Sequence, residues 1–294
     1  MVPHYRRNST VEPSQSDANQ HDRSHELSTL KPLVDEFVVH HGPQELLGEF
    51  VLQAYAECQR HGVWLSFAPI EWLVEINRQH QESWSPLLSI FDHRFGQLSA
   101  DNTFFIVGHN DRNEIIYTRA ARLYDIGPDA AATDFKQLTE NMLHLYGAPS
   151  DAPDPNESWS VTGTAVEAMQ GVSGRVAFSG AVWCHPSFRK RGFTSIVSSI
   201  GRSCTHAMWD NDYTVTFMAK SVVEGGHARR TGYENVSWTV HARNASIGDL
   251  DIAFMWVDRA ETMRQISVKL AALTAQVDGT VVDGQGQQQR IPIR

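Results

Sequence analysis

One stretch constrains this chain more than any other. From Val176 to Trp209 the sequence VAFSGAVWCHPSFRKRGFTSIVSSIGRSCTHAMW passes from an apolar, β-rich run through His185-Pro186 and a cationic turn into a long helical pattern. A strand that feeds a helix through so short a turn belongs to a layered α and β architecture. Gly192 at the junction lets the backbone approach a ligand closely, and the unpaired N–H groups of the following helix start favour an anion. Arg189, Lys190 and Arg191 stand directly before that glycine. Pyrophosphate is the natural ligand of this combination, because backbone donors fix its oxygens while the cations neutralise its charge.

The charge distribution agrees. Between Pro186 and Tyr233 seven Lys and Arg face three Asp and Glu, a net of +4, which leaves −13 for the remainder of a chain whose total is −9. Extended polyanions need clustered cations over a wide surface, so nucleic acid and anionic membranes are excluded as general partners while one anionic group keeps a local seat. The three cysteines, Cys58, Cys184 and Cys204, have no C-x-x-C spacing, which points to a reducing compartment and no disulfide framework. The N-terminal sequence lacks the apolar core of a signal peptide, and no run of 18 apolar residues occurs, so a cytoplasmic protein is expected.

Along the chain, residues 1–30 are polar and read as a disordered tail. Residues 31–100 read as a helical extension. Leu46, Leu47, Phe50, Val51, Ala54 and Cys58 recur at helical spacing between Pro43 and His61; a second helix starts near Pro69 with Trp72, Leu73 and Ile76 on one face; Ser83 to Asp92 is a further helical stretch. Trp64, Phe67, Trp72 and Trp84 are either core or one wall of an acceptor site. His21 and His25 have the spacing of a helical metal pair but lie in a segment without helical periodicity, and no metal site is expected.

Residues 101–278 form the main domain. Thr103–Gly108 and Glu114–Tyr124 flank the turn-forming HNDRN as a hairpin; a helix over Phe135–Tyr146 and a proline-rich loop at 151–158 follow. Then come a strand at Arg175–Cys184, a helix at Thr194–Trp209, a strand at Tyr213–Ala219, a short helix ending near Thr231, and strands at Tyr233–Ala242 and Leu250–Val257. The last helix opens on a box of Asp258 and Glu261 and stops at Asp278-Gly279. Its seam of Met263, Ile266, Leu270, Leu273 and Val277 serves either packing on its own domain or a homodimer contact through 259–277. Residues 279–294 read as a loose tail.

The residues from Val182 to Thr194 resemble the signature of the GNAT superfamily of acyl-CoA N-acyltransferases, in which a strand ends in a V-x-P-x-[YF]-R pattern followed by [RQ]-x-x-G-x-[GA] and a helix. Here the chain reads C-H-P-S-F-R-K-R-G-F-T, and Thr231-Gly232-Tyr233 before the next strand is similar to the family's Gly-Phe or Gly-Tyr. The resemblance implies an α+β fold with a GNAT-like mixed, mostly antiparallel central sheet flanked by helices. It further implies that Val182, Trp183 and Cys184 accompany the pantetheine arm of acetyl-CoA, or of another acyl-CoA cosubstrate, and that Arg189, Lys190, Arg191, Gly192, Phe193 and Thr194 hold the pyrophosphate. Cys184 then sits beside the thioester by position, not as a nucleophile.

Three positions depart from the family's pattern. Thr194 replaces a Gly or Ala, Ser221 stands nearest to a frequent Asn, and Ala228 replaces the Tyr that commonly protonates the leaving thiolate. His227, its neighbour, is the candidate acid, with Tyr213 and Tyr233 behind it; no general base is named. Ser203, in GRSCT, does not satisfy the G-x-S-x-G of a hydrolase. The implied activity is N-acetyl transfer from acetyl-CoA to an amine acceptor, and the alternative is a catalytically inactive CoA-binding regulatory or interaction module.

Overall fold

The computed structural model describes residues 26–85, 87–94, 98–127, 158–161, 167–168, 170–244, 248–277, 280–282 and 288–290. The expected helix at Phe135–Tyr146, residues 151–157 of the expected loop and the helix stop at Asp278-Gly279 lie outside the described residues, as do residues 1–25 of the tail expected over 1–30; its residues 26–29 are helical and Leu27 is buried, a correction to the expectation of disorder there.

Eight strands form one sheet: β1 (Trp64–Phe67), β2 (Thr103–His109), β3 (Ile115–Ile126), β4 (Ser158–Val161), β5 (Gly174–Cys184), β6 (Tyr213–Ala219), β7 (Asn235–Asn244) and β8 (Gly248–Asp258). Their spatial order is β1-β2-β3-β5-β6-β8-β7-β4. Every neighbouring pair is antiparallel except β5 and β6, which are parallel and joined by the intervening long helix. The sheet is mixed, mostly antiparallel and flanked by helices, as expected. Within 279–294, expected as a loose tail, β9 (Thr280–Val282) and β10 (Gln288–Arg290) instead form a separate antiparallel pair.

Among the described residues the main helices are α1 (Leu33–Glu36), α2 (Gln44–Arg60), α3 (Trp72–Gln79), α4 (Phe193–Trp209), α5 (Lys220–Glu224), α6 (His227–Arg230) and α7 (Arg259–Val277). One face of the sheet is covered by α2, α4 and α7, whose Leu47, Phe50, Val51, Val197, Ile200, Ile266 and Leu273 close over Ile106, Tyr117, Ala121 and Ala177. The opposite face carries Leu73 and Ile76 of α3, with Ile90 and Phe91, over Phe105, Val107, Phe178, Val215 and Phe254. The α7 seam is thus used within the chain: Ile266 and Leu273 are buried and Met263 and Leu270 half-buried against α2 and α4. At the start of α7 the Asp258 carboxylate accepts the Glu261 N–H at 2.8 Å, half of the expected box, while the Glu261 carboxylate takes Arg264 and Gln265.

Two expectations for residues 31–100 are corrected. The segment is not purely helical, because the short apolar run Trp64–Phe67 pairs with β2 as the edge strand of the main sheet. Among the described residues of Ser83–Asp92 the expected helix is absent: Ser89–Phe91 form one 3-10 turn, and the Ser83 hydroxyl accepts the indole N–H of Trp183 on β5.

Candidate functional site

The site begins with a backbone irregularity. In the β3–β5 ladder Thr118 pairs with Trp183 but Ala120 pairs with Gly180, so Arg119 alone opposes Ala181 and Val182. The extra residue makes a β-bulge, with Ala181 at a φ of +51° and its carbonyl accepting the Thr118 hydroxyl at 2.9 Å. Bulges bend their strand, and β5 bends away from β6. The two are paired only from Val176 to Phe178 and from Tyr213 to Val215, although β5 runs on to Cys184 and β6 to Ala219. Each diverging strand keeps its other neighbour, β3 for β5 and β8 for β6. The result is a V-shaped gap whose edges present main-chain groups not used by the sheet.

The loop at the mouth of this gap is built from the expected residues. Pro186–Phe188 form one 3-10 turn, capped by the His185 ring, which accepts the Ser187 N–H at 3.3 Å. Lys190 has a φ of +64° and Gly192 one of +89°, so the chain doubles back twice before α4 starts at Phe193. No side chain caps the first turn of α4, whose N-cap is Gly192. Lys190 and Arg191 are exposed, the Arg191 guanidinium lying 4.3 Å from the centre of the Phe188 ring. Seventeen residues of aligned helix point their positive end here.

The structure divides the labour among the predicted residues. Arg189 holds the loop together: its Nε donates to the Cys184 carbonyl and its Nη2 to the Ser83 carbonyl, both at 3.0 Å. Phe193 is a core residue, buried with its ring edge-on to Tyr117 at 5.9 Å; only its main chain belongs to the helix start. The Trp183 side chain is likewise buried. It stacks on His80 at 4.2 Å and Trp84 at 5.7 Å, and its indole N–H donates to the Ser83 hydroxyl at 3.1 Å. Val182 is exposed and Thr194 half-buried, while Ser221 is exposed in the first turn of α5. Cys184 is half-buried, and burial pushes its thiol up to about 11, against the pull of Arg189 and Arg191. A thiol so poor in thiolate is unsuited to nucleophilic attack.

His227 opens α6 and is half-buried. Its pKa is lowered by burial first and then by Arg230 and Arg119, so the ring is held neutral more readily than an ordinary histidine. Ala228 beside it is buried, Tyr233 is buried with Arg202 5.5 Å from its ring centre, and Tyr213 lies at the paired end of β6. Among the described residues no group of three or more His, Cys, Asp or Glu is placed to hold a metal ion, and no helix is long and apolar enough to cross a membrane.

Sequence reasoning missed the contribution of His80 and Ser83, which brace Trp183 and Arg189 from the irregular segment after α3. No local pattern marks them, since the contacts span about a hundred residues of chain. Arg119 was also missed. A cation within the apolar run EIIYTRAARLY was the available signal, because a buried strand position accepts charge only for a reason.

No family model matches the chain, and no curated protein does. Among solved structures, a dodecameric spermidine N-acetyltransferase from Vibrio cholerae is similar over 69% of this chain and 98% of its own, with 10% identity and a TM-score of 0.39. AAC(6')-Ib in complex with ribostamycin and coenzyme A is similar over 69% of this chain and 97% of its own, with 11% identity and a TM-score of 0.37. In this chain the bulged strand, the diverging pair and the glycine turn all lie at one end of β5.

Proposed function

We propose that this chain is an acyl-CoA-dependent N-acyltransferase that passes an acetyl group from acetyl-CoA directly to an amine. The observation that supports the reading is the coincidence, at one end of β5, of a gap between parallel strands and an uncapped helix start behind two exposed cations. Lys190 and Arg191, with the main-chain N–H groups of Gly192, Phe193 and Thr194, meet the pyrophosphate. The pantetheine arm lies in the gap, where the unpaired edge of β5 from Val182 to Cys184 supplies the amide partners that a further strand would otherwise supply.

In the reaction the amine nitrogen attacks the thioester carbonyl. A C–N bond forms, the C–S bond breaks, the sulfur departs as thiolate, and one proton leaves the nitrogen. Holding thioester and amine together accounts for much of the acceleration, since well-oriented intramolecular reactions reach effective molarities of about 10⁵–10⁸ M. His227 is the proton-transfer residue of the α6 side. With its pKa below that of an ordinary histidine, a rate that needs the imidazolium declines at a lower pH than usual, and one that needs the neutral ring holds through neutrality.

A second reading, a CoA-binding module without catalysis, is favoured by Ala228 at the position of the family's usual Tyr and by the lowered pKa of His227. One experiment separates the two. The protein is mixed with acetyl-CoA and a panel of primary alkylamines and polyamines, thiol release is followed, and the unfolding midpoint is read with and without CoA. Release above the uncatalysed rate supports the transferase; a raised midpoint with no release on any amine supports the module. No shift at millimolar CoA removes both.

A further inference from the structure

Beneath the bulge, on the α4 face of the sheet, long cationic side chains from three separate elements converge. Arg119 leaves β3 at the bulge and lies so closely on Gly201 of α4 that a Cβ there would collide with its side chain. Arg202 comes from α4, spreads over the Tyr233 ring and donates one N–H to the Gln265 side chain at 3.1 Å. Lys269 reaches in from α7 to the Ser199 hydroxyl at 2.6 Å and the Ser195 hydroxyl at 3.1 Å. Arg119 and Arg202 are 3% and 1% exposed. The lysine is loaded against its ordinary value, to about 8, by burial and by both arginines, and Arg202 is lowered to about 10 by burial and by Arg119.

The surroundings do not neutralise them. Of the other groups that act on the cluster, Tyr117, Tyr233, Cys204, His227 and His206 bring no carboxylate. Glu261 is the acid that acts on Arg202, and its carboxylate is held by Arg264 and Gln265 at the surface. Arg119 Nε, Arg202 Nε and Arg202 Nη1 are buried without a hydrogen-bond acceptor in place, the Arg119 side chain having the Tyr117 hydroxyl as its polar neighbour. Buried donors are almost always satisfied, and buried charge is normally paired. Three orphan N–H groups on two planar guanidinium ions, with an ammonium beside them, complement one compact anion with two acceptor oxygens.

We propose that Arg119, Arg202 and Lys269 form a binding site for a carboxylate group. Two sources offer one. Arg119 stands opposite Ala181 and Val182, just past the last β5–β6 rung, so a dicarboxylic acyl chain on CoA is positioned to deliver its terminal carboxylate there; this source rests on the acyl-CoA reading. A free small carboxylic acid is the other, and needs no CoA.

The test is the unfolding midpoint of the full chain at fixed ionic strength, for wild type, Arg119→Met and Lys269→Met, with sodium succinate, acetyl-CoA or succinyl-CoA. Sodium succinate at about tenfold its Kd raises the wild-type midpoint by about 3 °C by mass action and either variant's by under about 1 °C. If the acyl chain is the source, wild type alone also prefers succinyl-CoA over acetyl-CoA by about tenfold or more. Equal affinity for the two thioesters with the succinate response retained assigns the site to a free acid. Should CoA have no effect while succinate does, the acyl-CoA reading falls and the site stands. A wild type indifferent to succinate and to the acyl carboxylate, with Arg119→Met raising the midpoint unaided, overturns the proposal. Lys269→Met keeps the test decisive if Arg119→Met does not fold.

Discussion

The two ends of β5 are built from similar residues and do opposite things. At the closed end, Val176, Ala177 and Phe178 pair on both sides, with β3 and with β6, and Asp212 ties the strand's start by accepting the Arg175 N–H at 2.9 Å while donating its own N–H to the Arg175 carbonyl at 2.7 Å. At the open end, Trp183 and Cys184 pair with β3 alone. A strand paired twice has no main-chain groups left to offer, and one paired once has a whole edge. A fully paired ladder and an open main-chain edge are thus separated along a single strand by one bulge at Ala181.

Changes at the closed end are therefore expected to act on stability, and changes at the open end on the CoA binding proposed above. The largest effect is expected from Gly174→Val. Gly174 has a φ of +91° and a Cβ would meet the Asp212 carboxylate, so denaturant unfolding registers a loss of about 3 kcal/mol, with CoA affinity of the folded fraction unchanged. An equal loss of CoA affinity would break the comparison.

Next comes pH. His206, near the end of α4 that abuts the closed end, is 2% exposed and its pKa is pushed down to about 4 by burial, then by Arg259. The unfolded chain takes up this proton near pH 6.5 and the folded chain near 4. Stability from His206 is therefore complete above about pH 6.5 and falls by about 3 kcal/mol as pH drops to 4. Chemical denaturation across that range checks it, and His206→Gln flattens the slope.

At the open end, Lys190→Ala with Arg191→Ala weakens CoA binding by about 10- to 100-fold, the scale of losing charge-assisted hydrogen bonds. Calorimetric titration at two salt concentrations measures this, and the unfolding midpoint stays within about 2 °C, as for exposed substitutions. Arg189 is the wrong cation for such a test, because its two carbonyl contacts make it part of the loop's own structure. The smallest effect is that of Cys184→Ser: with the thiol pushed up to about 11, thiol release from acetyl-CoA changes by less than about twofold. A large loss would return Cys184 to the chemistry.

Much of this was legible in the sequence where physics is local. The strand from Arg175, the glycine turn and the helix to Trp209 were readable because a β-rich run, a left-handed glycine and a helical apolar period each act over a few residues. Asp258 capping α7 was readable for the same reason. The seam of α7 was readable as apolar but not as to its partner, which proved to be α2 and α4. Trp64–Phe67 was hidden because four residues carry too little period to distinguish a strand from the aromatic content of neighbouring helices.

By itself, then, the sequence determined the cationic glycine turn and the helix that follows it, since both depend on backbone conformation and charge within a dozen residues. Only the tertiary structure decided that β5 and β6 part after three rungs, that Arg189 braces the loop against Ser83, and that Arg119, Arg202 and Lys269 meet. Those outcomes turn on which distant segment wins each main-chain and side-chain partner, and that competition is settled by the packing of the whole sheet.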